Sequence, residues 1–396
     1  MIYLYKKIMK NKVLIIFKYP RSHWNIPVIN QFSSYYDTEH LFINDYKNKN
    51  FTEVIIEINN LIKSKNIQIV VFDVDYFKFT NFFFIERINA NKKILITGDD
   101  FELHELNSIT ASACDLVLNT CPLSVLKYKE KGYEAHIFHF EYDPADKKIK
   151  RSNLKKEIDV LFFGALTPDR SNFLEHIEKK GINLKNIGHK EGSYGLPDNE
   201  LKELIDKSKI ILNLSKSRTS EVRNYSSENI YKFYYQLKAR VLTAGLKGVA
   251  CVSEYSPGQE LLFNDDQILT FFTKDECAEI LQKYLADDNL LENYTSKFSS
   301  RVNELCDFSP IFNAIEKPKH RRVKLIKFPY WYLRIAAKQI ILRNIRLSTL
   351  LKALFQFKVI LSIIKNSNFF IKLLIILESI LNTLWYSIVL TFKPKK

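Results

Sequence analysis

The sequence predicts an α/β protein of two Rossmann-like domains facing a cleft, followed by a basic, apolar helical tail. Three observations carry this reading. Between residues 13 and 138 short apolar runs alternate with helix-length amphipathic stretches, the pattern of a parallel, doubly wound sheet. The same alternation restarts at residue 158 and runs to 303, after a polar, highly charged interval. Beyond residue 317 the composition shifts to Arg, Lys, aromatic and aliphatic residues with almost no acid. The expected organisation is a first domain over 1–145, a linker over 146–157, a second domain over 158–316 and a tail over 317–396.

In the first half, Lys6, Lys7, Lys10 and Lys12 lead into the run 13–17, too short for a secretory signal and suited to a buried strand. Helical residues are expected over 26–36 and a second strand over 40–44. The stretch 51–64 places Val54, Ile55, Ile58, Leu61 and Ile62 on one face at helical spacing. A third strand over 67–72 ends on Asp73 and Asp75, and 79–88 is expected to be helical. A strand over 93–97 runs into Gly98, Asp99 and Asp100. Strand 115–119, helix 121–131 and strand 135–138 complete the half. The interval 139–157, with Pro144 inside it, is polar enough to mark the domain boundary.

The second half repeats the scheme. Strand 158–163 ends at Gly164, helix 171–180 follows, and 184–188 is a weak strand. Pro197 opens a helix over 198–207, and KIILNL (209–214) is a buried strand. A long helix is expected over 229–246, strands over 249–252 and 267–272, and helices over 275–285 and 290–303.

The chain has 396 residues and a net charge of +15, but the charge is unevenly placed. Residues 317–396 hold 17 Lys/Arg against one acid, Glu378, and the remainder is near neutral at −1. A neutral body argues against nucleic-acid binding along it, which needs a basic surface to displace counterions. Five scattered cysteines without a C-x-x-C pair fit buried, reduced thiols in a cytoplasmic protein. No P-loop and no G-x-G-x-x-G occurs among the 10 glycines. His136, His139 and Glu141 do not make a metal site, because strand residues three apart face opposite sides.

In the tail, Lys358, Lys365 and Lys372 recur every seventh residue, which puts one narrow basic stripe on an otherwise apolar helix. The longest charge-free run, 379–392, is 14 residues, short of the roughly 18–20 a spanning helix needs. Bridging Glu378 gives a candidate over 373–392, but lysines on both of its flanks give no crossing direction. Helices lying in the plane of an anionic membrane surface, with snorkelling lysines and interfacial aromatics, fit best. An extra helical subdomain packed on the body, or an oligomerisation element, is the plainer alternative. The expected location is cytoplasmic, peripheral on the inner face of the cell membrane.

The most informative stretch is KARVLTAGLKGVACVSEYSPGQE (238–260). A basic helix with Arg240, a glycine break, a buried strand and an acidic loop at that strand's carboxyl end form a ligand crevice of the α/β kind.

This stretch, with DVLFFGA, LPDNELKELIDKSKIILNLS and DECAEILQKYLADDNLLENYTSKFSSRV, resembles the donor domain of a GT-B glycosyltransferase of the group 1 family, nearest its spore-maturation-type branch. The resemblance covers roughly 157–305; the first half is similar only in outline, through Gly98-Asp99-Asp100 and DLVLNTCPLSVLKYKEKG. It implies sugar transfer from a nucleotide sugar, without an obligatory metal or other cofactor, to a cell-envelope or lipid-linked glycan acceptor. Two departures stand out. The family's usual acid three positions after the arginine is Thr243 here, and its glycine-rich loop after the first strand is replaced by residues 18–24. They keep open a second reading, a non-catalytic binding or scaffold protein on a degenerate transferase fold.

A leaving nucleoside diphosphate needs cations or backbone N–H groups. Arg240, Lys216 and Arg218 are candidates, with the N–H groups after Gly164 and Arg170 as a second anion site. Glu254, and Glu260 presented by the turn at Gly258, can accept hydrogen bonds from sugar or ribose hydroxyls. For an inverting reaction the acceptor needs a base. Asp99, Asp100 and His104 are the expected choices and His23 the next, although one aspartate can equally cap the following helix.

Overall fold

The computed structural model describes residues 11–18, 20, 22–74, 80–98, 100–139, 155–190, 196–216, 235–318, 323, 327–345 and 358–392. Within them the two halves form two separate parallel sheets. The first, in the order β2-β1-β3-β4-β5-β6, is built from β1 (Lys12–Phe17), β2 (Asp37–Phe42), β3 (Ile69–Val74), β4 (Lys92–Thr97), β5 (Leu116–Asn119) and β6 (Ala135–Ile137). The second, in the order β11-β10-β9-β7-β8, comprises β7 (Ile158–Leu166), β8 (Leu184–Lys190), β9 (Ser208–Asn213), β10 (Ala250–Glu254) and β11 (Leu269–Phe271). Strand order reverses between β1 and β3 and again between β7 and β9, and crevices for ligands open at the carboxyl ends of such switch points. The architecture is GT-B: two Rossmann-like domains of mixed α/β structure.

Strand alternation explains how the first sheet is covered on both sides. Leu14 and Ile16 of β1 join Val70, Phe72 and Leu95 on one face. Val13, Ile15 and Phe17 join Ile69, Val71 and Ile94 on the other. The first face is packed by α2 (Phe51–Lys65), α3 (Phe82–Glu86), α4 (Asp100–Ala111) and α5 (Pro122–Glu130). Asn50 and Glu53 close a capping box at the start of α2, and Val54, Ile55, Ile58 and Ile62 are buried as the spacing predicts, with Leu61 half-buried. The second face is covered by α1 (Ser22–Ser33), through Val28 and Phe32.

The second sheet carries α6 (Pro168–Lys179), α7 (Asp198–Asp206), α8 (Ala239–Leu246), α9 (Lys274–Leu285) and α10 (Asp288–Leu305). Helices α8 and α10 approach closely at Gly245, where an added Cβ would lie 2.4 Å from a methyl of Val302. Val302 is β-branched and fully buried, so it has no rotamer to escape into. Gly245→Ala is therefore expected to cost about 1–3 kcal/mol in chemical denaturation.

Several boundaries differ from those the sequence predicts. β2 stops at Phe42 and gives way to a 3-10 turn, Ile43–Tyr46. β3 starts at Ile69, and α3 is only five residues, capped by Asn81. β7 continues past Gly164 to Leu166, because Gly164 to Leu166 stay paired with Gly188 to Lys190 of β8. Of the expected long helix 229–246, the described residues form a helix only in α8: Lys238 is extended and Tyr235 bridges to Lys216, while 229–234 lie outside the described residues.

After α10 the chain returns to the first domain. Helix α11 (Ser309–Glu316) lays Ile311, Ala314 and Ile315, with Phe308 before it, on the second face of the first sheet. The tail then packs over the helices that cover the opposite face. Tyr332, Leu333, Ala336, Ala337 and Ile340 of α12 (Tyr330–Ile345) are buried in the first core, and the Tyr332 hydroxyl accepts the N–H of Phe82 at 2.9 Å. A helix over 358–364 (α13) adds Ile360, Ile363 and Ile364, and α14 (Phe369–Phe392) adds Ile375. The tail is thus a helical layer of the first domain. The Lys358, Lys365 and Lys372 stripe does not lie on one helix, because the chain turns at 365–368 and Asn368 caps α14 by accepting the N–H of Ile371. Among the described residues no helix is long and apolar enough to cross a membrane.

Candidate functional site

The carboxyl ends of β7, β9 and β10 converge on two arginines. Arg170 sits in the first turn of α6, where Pro168 opens the helix and the Thr167 hydroxyl accepts the Arg170 N–H. Its guanidinium donates to the carbonyls of Ala165 (2.7 Å), Leu214 (3.3 Å) and Lys216 (3.2 Å). It therefore ties β7 to the loop after β9 across the switch point.

Arg240 comes from α8 and is equally buried, at 8% exposure. Its Nη1 donates to Asn213 Oδ1 at 3.2 Å, and its guanidinium carbon lies 5.2 and 5.8 Å from the rings of Phe162 and Phe163. Gly164, at φ +118°, gives it room: a Cβ there would stand 2.8 Å from Nη2. Burial, then the positive charge of Arg170, lower the Arg240 pKa to about 9, only partly opposed by Cys251. Two cations held together, with no carboxylate on Arg240 among the described residues, create a preorganised demand for an anion.

Around them, Asn213 donates to the hydroxyls of Ser215 and Ser253, both at 2.9 Å. Glu254 ends β10, and its carboxylate accepts the Lys216 N–H at 2.8 Å. Burial raises the Glu254 pKa against the opposing pull of the Lys216 and Ser215 backbone hydrogen bonds and of the nearby cations. Asn213, Phe162 and Phe163 were not singled out from sequence. The available signal was a lone amide at the carboxyl end of the otherwise aliphatic KIIL run.

The structure thus brings together Gly164, Arg170, Lys216, Arg240 and Glu254 of the expected donor set. Gly164 plays a different part from the one expected. It and its successors remain in the β-ladder, so it contributes space for a guanidinium rather than a loop of free N–H groups. The Lys216 ammonium pairs with Asp169 at 3.2 Å at the exposed rim. Glu260 is occupied by its own turn, accepting the N–H of Gly258 at 3.0 Å and a hydrogen bond from Tyr255. Gly258, at φ +88°, lies where the two domains touch: a Cβ would sit 3.1 Å from the Leu123 nitrogen at the start of α5. Arg218 lies outside the described residues.

Two of the acid–base expectations, Asp100 and His104, do not fit their surroundings. Asp100 and His104 are both fully buried. The Asp100 carboxylate accepts from His104 Nδ1 (2.8 Å), Asn107 (2.7 Å) and the Tyr128 hydroxyl (2.9 Å). The pair pins α4 to α5 inside the first domain and presents no surface to an acceptor. Burial alone would raise the Asp100 pKa; the charge and hydrogen bond of His104, with Asn107 and Tyr128, outweigh it and hold it below the usual carboxylate range. Asp99 lies outside the described residues, and His23 is in α1 with a side chain that is not described.

Residues 170–307 match a family model described as glycosyl transferase-like. No curated protein sequence matches the chain. Among solved structures, an alpha-glucosyltransferase in complex with UDP and a 13-mer DNA superposes with a TM-score of 0.50 at 13% identity, over 78% of this chain and 100% of that one. The Anabaena protein Alr3699/HepE, in complex with UDP and glucose, gives 0.48 at 10% identity over 77% and 98%. Sucrose-phosphate synthase from Thermosynechococcus elongatus gives 0.47 at 8% identity over 77% and 97%.

Proposed function

We infer that this GT-B chain is a glycosyltransferase that moves a sugar from a nucleotide-sugar donor to a cell-envelope or lipid-linked glycan at the inner face of the cell membrane, nearest the spore-maturation-type branch of group 1. The carrying observation is Arg240: a buried guanidinium at the switch point of the second sheet, beside Arg170 and, among the described residues, without a carboxylate partner. A donor diphosphate supplies the missing charge. As the bond to the sugar breaks, negative charge grows on the leaving phosphate, and the two guanidiniums and the Asn213 network are already in place around it. Glu254, at the end of β10, is positioned to accept from a ribose or sugar hydroxyl. This chemistry asks for no metal.

A panel of UDP-, GDP-, ADP- and dTDP-linked sugars is expected to contain at least one donor that raises the melting temperature in a saturable way. A ligand at about 100 times its Kd adds roughly 2.7 kcal/mol. Donor binding followed by hydrolysis or transfer supports the reading, and donor binding without turnover by any acceptor would favour the scaffold alternative. No binding by a folded protein to any of the donors sinks the transferase reading.

The membrane part of the proposal rests on α14. Phe369, Phe370, Leu373, Leu374, Leu377 and Leu381 stand between 42% and 74% exposed, at i, i+4, i+8 spacing on the side turned away from the core. This apolar row sits on a segment whose net charge is +16, and the combination suits an anionic bilayer surface. Cutting the tail off would uncover the core around Tyr332 and Leu333, so substitution is the cleaner test. The full chain is expected to pellet with phosphatidylglycerol-containing vesicles, and Phe369→Ser with Phe370→Ser to remain in the supernatant with an unchanged melting temperature. Pelleting that survives the double change, or a wild-type chain that stays in the supernatant, would remove the membrane surface from the proposal.

A further inference from the structure

Where α3 meets the tail, the first domain encloses a cavity of about 550 Å³. That is in the range of roughly 300–1,000 Å³ that small-molecule sites occupy. Phe82, Phe83, Phe328, Ile363 and Ile371 form an apolar wall. Arg87 and Lys327 stand on it, with the single acid Glu86. Arg87 is fixed by donating to the Phe83 carbonyl at 2.7 Å and to Ser362 at 2.9 Å, and Lys327 is exposed. Asn368 and Ile371, the cap and first turn of α14, also line the cavity, so the positive end of that helix adds to the two cations. An apolar wall with a cationic rim is the complement of an amphiphile with a negative head. Directly beside it, Phe369 and Phe370 are 74% and 73% exposed and open the apolar row of α14.

We propose that this cavity holds one molecule of an anionic phospholipid. Its phosphate lies against Arg87, Lys327 and the start of α14, and part of one acyl chain rests on the phenylalanine wall. The proposal rests on the membrane reading of α14 and gives it a specific headgroup contact. The lipid here is an anchor and not the sugar acceptor. The carbonyls of Ile85 and Glu86 at the end of α3 accept from Lys93 at the start of β4, which places this end of α3 opposite the carboxyl strand ends that form the cleft.

The test separates the cavity from the bilayer surface by using dihexanoyl phosphatidylglycerol below its micelle concentration, titrated calorimetrically into the full-length protein. Saturable binding with one site is expected, and weaker binding of dihexanoyl phosphatidylcholine. Lys327→Glu, at an exposed position, is expected to weaken the phosphatidylglycerol by about tenfold. Ser362→Trp, which fills the cavity, should abolish binding. The Phe369→Ser, Phe370→Ser protein should still bind the short-chain lipid although it no longer pellets with vesicles. A wild-type chain that pellets with anionic vesicles but binds no short-chain lipid overturns the cavity and leaves the membrane reading intact. Failure to pellet removes the membrane reading itself. Undiminished binding by folded Lys327→Glu and Ser362→Trp proteins also overturns the proposal.

Discussion

Replacing Arg240 by Met will remove donor binding and leave the melting temperature unchanged or higher. Both halves of this result follow from one side chain. The guanidinium is buried between Phe162, Phe163 and Gly164, with Asn213 as a hydrogen-bond partner and Arg170 as a repelling neighbour. Its pKa is depressed to about 9 in the folded state, so below that pH the protein holds the charge at a cost to its own stability. Met matches the aliphatic stem and removes the charge. The guanidinium stays charged across the working pH range, so the stability advantage of Arg240→Met is expected to persist across it. Loss of a group acting on the leaving phosphate should lower turnover by about 10²–10³-fold. Differential scanning fluorimetry across pH, with a nucleotide-release assay, checks both halves. A variant that melts well below wild type, or still turns over normally, would show that Arg240 is a structural residue.

The largest loss of stability is expected from Asp100→Ala. Three donors, His104, Asn107 and Tyr128, converge on this carboxylate with no solvent access. Removing it strands them in the core, at a cost of about 3–5 kcal/mol and roughly 10 °C in the melting temperature of a domain of this size. Because its folded-state pKa is depressed, its contribution is complete above the ordinary aspartate range and is lost as pH falls through the depressed value. Acid unfolding of the wild type should therefore become less steep in the variant. At a temperature where the variant is folded, turnover per folded molecule should equal wild type. A catalytic base would behave oppositely, with turnover down by about 10²–10⁴-fold and stability little changed.

These two residues also show how far the sequence could be read. Both were candidate site residues, Arg240 as the cation of the crevice stretch 238–260 and Asp100 as an acid after a buried strand of the first half. Arg240 does stand in a crevice, because α8 faces the switch point between β7 and β9. Asp100 does not, and this was not legible, because periodicity gives the face of a helix but not what a neighbouring helix offers. Tyr128 and His104 lie 28 and 4 residues away, and only tertiary packing turns them toward the carboxylate. The strands were legible throughout, since aliphatic runs such as 13–17 and 94–96 have few alternatives to burial between two helical layers. Short-range rules failed where polar backbone pairing takes over, as at Tyr235 and Lys216. The tail was legible in composition but not in placement. Its aromatic residues serve two ends: Tyr332 fills the first core, while Phe369 and Phe370 stay outside.

The return of the tail also bears on how the protein is made. Leu14 and Ile375 belong to the same core, whereas the core of the second domain runs only from Ile158 to Cys306. On a ribosome the second domain can close as soon as its last helix emerges. The first domain, synthesised earlier, must wait for the residues up to Ile375. At about 5–20 residues per second, its apolar face is uncovered for roughly 10–50 s after its last strand emerges. Assembly thus runs in the reverse order of synthesis, and nascent chains stalled before residue 330 should be the ones that recruit holdase chaperones.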